Sequence, residues 1–160
     1  AGLKGAMRAD PDVILIGEMR DMETIRLALN CAAMGMLVFA TLHTNNATKT
    51  VDRIIDAFPA DEQNQIRIML AESLRGIVSQ LLCQKKDGGR IAVHEILLTH
   101  GALPNCIRTH SLSNIRNIID QNRDRGMISM DASLSILLKA DLITQEEAHM
   151  KAIDKTRFTA

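Results

Sequence analysis

Two kinds of hydrophobic pattern alternate along the first part of this chain. The first is short and continuous. Val13-Ile14-Leu15-Ile16 is an apolar run, rich in β-branched residues and closed by Gly17. Its length and composition predict a strand, and its lack of alternation predicts burial on both faces. Leu37-Val38-Phe39-Ala40 repeats the pattern. The second kind is helical. Between the runs, apolar positions recur at Ile25, Leu29 and Ala32-Ala33, with Asp21 placed to cap, Glu23 in the first turn and Gly35 as the stop. A further helix is predicted over 47–57, with Val51, Ile54 and Ile55 on one face. Strand, helix, strand and helix at this spacing predict a parallel sheet with crossover helices.

The pattern changes after Phe58-Pro59. A helix is expected over about 60–74. Two strand-like runs, 77–83 and 91–98, flank Lys85-Lys86-Asp87-Gly88-Gly89, and Asp-Gly between apolar runs is a hairpin signal. The two lysines then read as a solvated tip. Ser111 is placed to cap a helix ending near Gly126, and another helix is expected over 130–140. Thr144-Gln145-Glu146-Glu147 has the spacing of a capping box, with Glu147 reaching back to the cap. Residues 2–9 read as a helix end, broken at Asp10-Pro11 because the residue before a proline avoids the helical region. The expected fold class is α/β, with an α/β part over 1–100 and an all-helical part over 101–160.

Composition narrows the function. At 160 residues and 46% hydrophobic, the chain has enough apolar surface for one domain with a real core. Lys+Arg and Asp+Glu both number 19, so no global field draws the chain to nucleic acid or an anionic membrane. With no Trp, no Tyr and three Phe, it offers almost no stacking platform for single strands, which disfavours a DNA translocase. Cys31, Cys83 and Cys106 are odd in number and far apart, arguing against a disulfide framework or a zinc site and for a reducing cytosol. His94, His100, His110 and His149 show no metal-ligand spacing. No apolar run approaches a membrane span, the first ten residues do not read as a signal peptide, and Ala1-Gly2-Leu3-Lys4 reads as a cut within a longer protein.

The strongest local feature is the acid that follows the first apolar run, Glu18. The C-terminal end of a buried parallel strand opens into the crevice where ligands bind. A carboxylate there can hold magnesium through water or orient an attacking water. Taken alone, such a run more often means a core strand followed by a surface acid. The full string Asp10-Pro11-Asp12-Val13-Ile14-Leu15-Ile16-Gly17-Glu18-Met19-Arg20-Asp21-Met22-Glu23-Thr24 closely resembles the second nucleotide-site motif of the type II secretion and type IV pilus ATPases. Leu37 to Asn45 resembles that family's histidine box, and Asp52-Arg53-Ile54-Ile55-Asp56-Ala57-Phe58-Pro59 the segment after it. Among the branches, Gly17 to Asp21 followed by Glu23-Thr24-Ile25-Arg26 looks most like the pilus retraction ATPases.

The resemblance implies the C-terminal half of a RecA-like P-loop ATPase domain followed by a helical tail. It implies ATP and Mg2+ as ligands, with Glu18 acting on magnesium and water and His43 contacting the terminal phosphate. Gly17, Arg20 and Thr41 would form the neighbourhood of that site, and Arg20 and Arg26 would pair with acids across the site or between subunits, or simply lie at the surface. It further implies a homo-hexamer, an inner-membrane pilus platform protein and related pilus ATPases as partners, no nucleic acid, and a cytoplasmic place at the inner membrane. An assembly or secretion ATPase and a non-hydrolysing regulatory paralogue are the alternatives within the same resemblance.

Two departures stand out. The family's earlier histidine is replaced by Met36, and a retraction-branch helical motif is matched only at Ala102, Asn105, Ile107 and Arg108, with Pro104 between them. None of the nine glycines begins a Gly-x-x-x-x-Gly-Lys-Ser/Thr loop. The resemblance places that loop upstream, so residues 1–160 alone are expected to be inactive.

Overall fold

The computed structural model describes residues 11–159, so the helix end expected over 2–9 lies outside the described residues. Strands β1 (Val13–Ile16) and β2 (Leu37–Ala40) pair in parallel, with Val13 opposite Leu37 and Ile16 opposite Ala40. Helix α1 (Met22–Ala33) connects them. Asp21 is its cap, accepting from the Thr24 N–H at 2.8 Å. Gly35 takes φ +96°, a turn into β2 that a side chain would strain.

Among the described residues β1 is covered on one face, not on the two that its apolar run predicts. Ile14 and Ile16 pack with Ala28 and Cys31 of α1, whereas Val13 is 53% and Leu15 78% exposed. Among the described residues α1 covers one face of this two-stranded sheet, and Leu37 and Phe39 share the open face through the parallel register.

Helices α2 (Ala47–Asp56) and α3 (Ala60–Ser73) lead to a long antiparallel hairpin, β3 (Gly76–Gln84) and β4 (Arg90–Leu98). Its tip is not merely solvated. The Lys86 N–H donates to the Leu142 carbonyl at 3.0 Å, and its ammonium pairs with Asp141, because the tip folds over the turn after a later helix.

Helix α4 (Leu103–Arg108) begins one residue before Pro104, where a first turn tolerates proline. The single helix expected from Ser111 to Gly126 is instead a 3-10 turn (Leu112–Asn114), helix α5 (Ile115–Gln121) and a second 3-10 turn (Arg123–Arg125). Ser111 makes no capping hydrogen bond to that turn; its hydroxyl pairs with Thr109 at 3.0 Å. At the far end the Asn122 side chain donates to the Ile118 carbonyl at 2.8 Å and competes with continuation of the helix.

Helices α6 (Met130–Lys139) and α7 (Gln145–Lys151) and a last 3-10 turn (Lys155–Phe158) complete the chain. Thr144 caps α7 by accepting from the Glu147 N–H at 3.1 Å. The Glu147 carboxylate does not reach back to the cap; it accepts from the Gln84 N–H at 3.0 Å and ties α7 to the hairpin.

The main core joins Ile25, Val51, Ile55 and Ile66 to Ile107 and Ile115. A second cluster joins Cys83 and Val93 of the hairpin to Met130, Leu134, Ile143 and Phe158. The hairpin contributes to both, with Ile77 and Leu97 in the first. Asp131, 1% exposed, pins the tail: it pairs with Arg116 and accepts from the N–H groups of Ile153 at 2.8 Å and Asp154 at 3.1 Å.

Candidate functional site

Parallel pairing brings the C-terminal ends of β1 and β2 side by side, and the loops that follow stay joined. The Met19 N–H donates to the Thr41 carbonyl at 3.0 Å, and the Thr41 hydroxyl donates to the Gly17 carbonyl. Two segments far apart in sequence thereby present Glu18 and His43 together. His43 Nε2 lies 3.0 Å from one Glu18 oxygen and the Arg20 guanidinium 2.6 Å from the other.

The two partners are not buried like the carboxylate. The Glu18 side chain is 23% exposed, Arg20 75% and His43 81%. The arrangement is an acid set back at a strand end with two exposed nitrogen groups outside it. The Arg20 hydrogen bond is the main cause that holds the Glu18 carboxyl below its ordinary range; partial desolvation opposes it, while the charges of Arg20 and His43 assist. The same pairing pushes Arg20 upward, so both partners are charged near neutrality.

Beyond His43 the loop is tied down before α2 begins. The Thr44 and Thr50 hydroxyls lie 2.7 Å apart, and Asn46 caps α2 by accepting from the Lys49 N–H at 2.8 Å. An open cleft of about 1030 Å³ lies beside this loop. Arg20 and His43 line it, joined by Lys49 and Arg53 of α2 and by Val78 and Gln80 of β3. Lys49 and Arg53 were not singled out by sequence reasoning; their i, i+4 spacing just after the histidine loop is the signal that marks them. Acids Asp52 and Asp56 are also in the wall, so the cleft is mixed in charge.

Gly17, Glu18, Arg20, Thr41 and His43 thus fall within one pair of loops. Ala102, Asn105, Ile107 and Arg108 do not join them: Ala102 immediately precedes α4, the other three lie on it, Ile107 is in the main core, and none lines the cleft. Arg26 pairs with Glu62 and lies 4.9 Å over the Phe58 ring, so it fastens α1 to the start of α3. His94 is bonded to Gln80 at 2.9 Å, and His110 lies 3.4 Å from Asp52. Met36 packs on the small cluster under β1 and β2, at the opposite end of β2 from His43.

Among the described residues no group of His, Cys, Asp and Glu could hold a metal by itself. A single carboxylate such as Glu18 could serve a divalent ion only as one ligand among several, the others coming from phosphate and water. No helix among the described residues is long and apolar enough to cross a membrane.

Comparison with known proteins places this geometry in a family. The model of the type II/IV secretion system proteins matches residues 1–88. A type IV pilus retraction ATPase, PilT, of Pseudomonas aeruginosa is 48% identical over 150 residues, which are 94% of this chain and 44% of that protein. A twitching motility protein of Neisseria gonorrhoeae is 50% identical over 151 residues, 94% of this chain and 40% of the relative. Among solved structures, the pilus retraction motor PilT with bound ADP superposes with a TM-score of 0.88 at 42% identity, covering 98% of this chain and 44% of that one. The Yersinia pseudotuberculosis ATPase DotB, at 24% identity and a TM-score of 0.82 over 99% of this chain and 40% of that one, shares the fold. The chain therefore spans less than half the length of these relatives. Its fold is part of a P-loop ATPase domain with a helical tail, and by the match over its first 88 residues the chain belongs to the type II/IV secretion system protein family.

Proposed function

We propose that this chain is the C-terminal part of a motor that hydrolyses ATP to retract type IV pili. The observation that supports this best is the Glu18 carboxylate at the end of β1, ionised and held between Arg20 and His43, in a chain 48% identical to a retraction ATPase. Bound Mg-ATP would supply the phosphoanhydride and the cation that neutralises its charge. The residues of this chain then have separate tasks. Arg20 and His43, being exposed, turn from Glu18 toward the incoming negative charge. Glu18, relieved of both partners, accepts a hydrogen bond from water and orients it. Thr41 and Met19 keep the two loops moving as one body.

The phosphate loop comes from the part of the parent protein upstream of this segment. The assembled motor is a homo-hexamer with nucleotide at or near subunit interfaces. It works in the cytoplasm against an inner-membrane platform protein. The helical segment 101–160 serves as its C-terminal subdomain, with Ala102, Asn105, Ile107 and Arg108 as its retraction motif.

The test uses the full-length parent. Purified protein should turn over ATP, and its gene should restore twitching to a strain whose own retraction ATPase is deleted. Absence of ATP turnover from folded, full-length protein would reject the motor. Turnover without restored twitching would point to an assembly or secretion role instead.

A further inference from the structure

Glu95 lies in the middle of β4 and is 4% exposed. A carboxylate withdrawn from water needs its oxygens satisfied. Here backbone groups satisfy both. One oxygen accepts from the Ala47 N–H at 2.7 Å, the other from the Met130 N–H at 3.2 Å. Ala47 is the first residue of α2, and Met130 is the first residue of α6. A single negative charge thus closes the N-terminal ends of two helices, where the backbone carries partial positive charge and unpaired donors.

The two helices lead to different parts of the molecule. α2 starts directly after the loop that carries His43, and that loop is stiffened by the Thr44–Thr50 bond and the Asn46 cap. α6 starts the segment that Asp131 ties to the tail at Ile153 and Asp154. Each helix moves as a body. If α6 is displaced, the bond to Glu95 survives only if the carboxylate follows, and the carboxylate can follow only if α2 yields or its own bond breaks. The start of α2 is the anchor from which His43 reaches Glu18.

We infer that Glu95 is a positioning residue for His43, and that it couples the placement of the 130–158 tail to the geometry of the Glu18–His43 pair. The inference rests on the reading of those two residues as the hydrolytic pair. Glu95 does not line the cleft beside His43; it acts only through the loop.

The test is a double-mutant cycle in the full-length protein. Glu95→Gln keeps the volume but offers one acceptor and one donor where two acceptors are required, so one helix N–H must face another donor. Turnover at saturating ATP should fall about tenfold or more, with KM changed less than about threefold, because ground-state binding is carried elsewhere. In a His43→Ala background the same change should cost less than about twofold, since a residue acting through His43 has nothing left to position. Equal losses with and without His43 would overturn the inference, as expected of a residue that only stabilises the fold. Ala47→Pro gives the same bond loss from the other side, at a helix position that accepts proline. If neither variant yields folded protein, the carboxylate is a folding residue and the inference fails. If Glu18→Gln and His43→Ala each leave turnover at the wild-type level, it is the hydrolytic pair that is wrong, and Glu95 falls with it.

Discussion

Two regions of this molecule hold a carboxylate in opposite ways. At the ends of β1 and β2, Glu18 is held by side chains, Arg20 and His43, that are themselves mostly exposed. Inside the fold, Asp131 is held by two backbone N–H groups and Arg116, and Glu95 by two backbone N–H groups. Exposed side-chain partners change rotamer without disturbing the backbone. Backbone partners leave only when a helix or a turn moves. The first arrangement leaves its acid free for chemistry, and the second makes its acids part of the frame. Substitutions should separate the two in kind as well as in size.

The largest effect is expected inside. Asp131→Ala takes the buried acceptor from two part-buried amides and from Arg116, which is left with Asp154 at 3.9 Å. Removing one member of a buried charged network costs roughly 3–5 kcal/mol, so urea unfolding of the full-length protein should show a loss of that order. A loss no larger than that of an ordinary surface substitution would mean that the tail is held by its apolar contacts instead. Glu18→Gln should do the reverse. Stability should be nearly unchanged while ATP turnover falls by about 100-fold or more, the scale of a lost positioned group. Nucleotide binding, measured by calorimetry, should persist. Near-wild-type turnover would remove Glu18 from the chemistry.

A smaller effect separates the two ends of β2. His43→Ala should lower turnover about tenfold or more at saturating ATP, because His43 borders the cleft beside Glu18. Met36→His should change it little, since Met36 packs on the cluster of Ile14, Ile16, Ala28 and Cys31 at the other end of the strand. Activity gained from Met36→His together with no loss from His43→Ala would reverse the assignment. The smallest effect concerns pH. Glu18 is held below its ordinary range chiefly by Arg20. A group depressed in the folded state stabilises it at pH above its ordinary range, and that contribution fades as the pH falls through the depressed value. In Arg20→Gln the main cause is gone, so the Glu18 carboxyl should titrate closer to the ordinary carboxylate range. NMR of the carboxyl carbon would show it; an unmoved titration would mean that Arg20 does not hold this acid.

The same contrast explains what could be seen in the sequence. β1, β2, the Asp21 cap and the Gly35 stop are local features. They were legible because short-range chemistry fixes them. Glu18 and His43 were legible chiefly through the family resemblance, and parallel pairing, which aligns strand ends, is what brings them together. Glu95 sits in the hairpin and carried no signal at all. Its partners are the first residues of helices 48 and 35 positions away, and no spacing rule reaches that far. The same distance hid Lys86 on Asp141 and Glu147 on Gln84, where good local readings, a solvated tip and a capping box, were displaced by tertiary partners. The helix predicted from Ser111 failed for a nearer reason. Its polar residues offer side-chain hydrogen bonds that compete with the helical ladder.

The open face of the small sheet has a practical consequence. Val13, Leu15, Leu37 and Phe39 stand together in water, on strands so short that the sheet offers little else to hold them. Apolar surface of this kind makes a molecule adhesive to its own kind. Residues 1–160 handled in isolation will be limited in concentration by this face long before the well-packed hairpin and its helices begin to unfold.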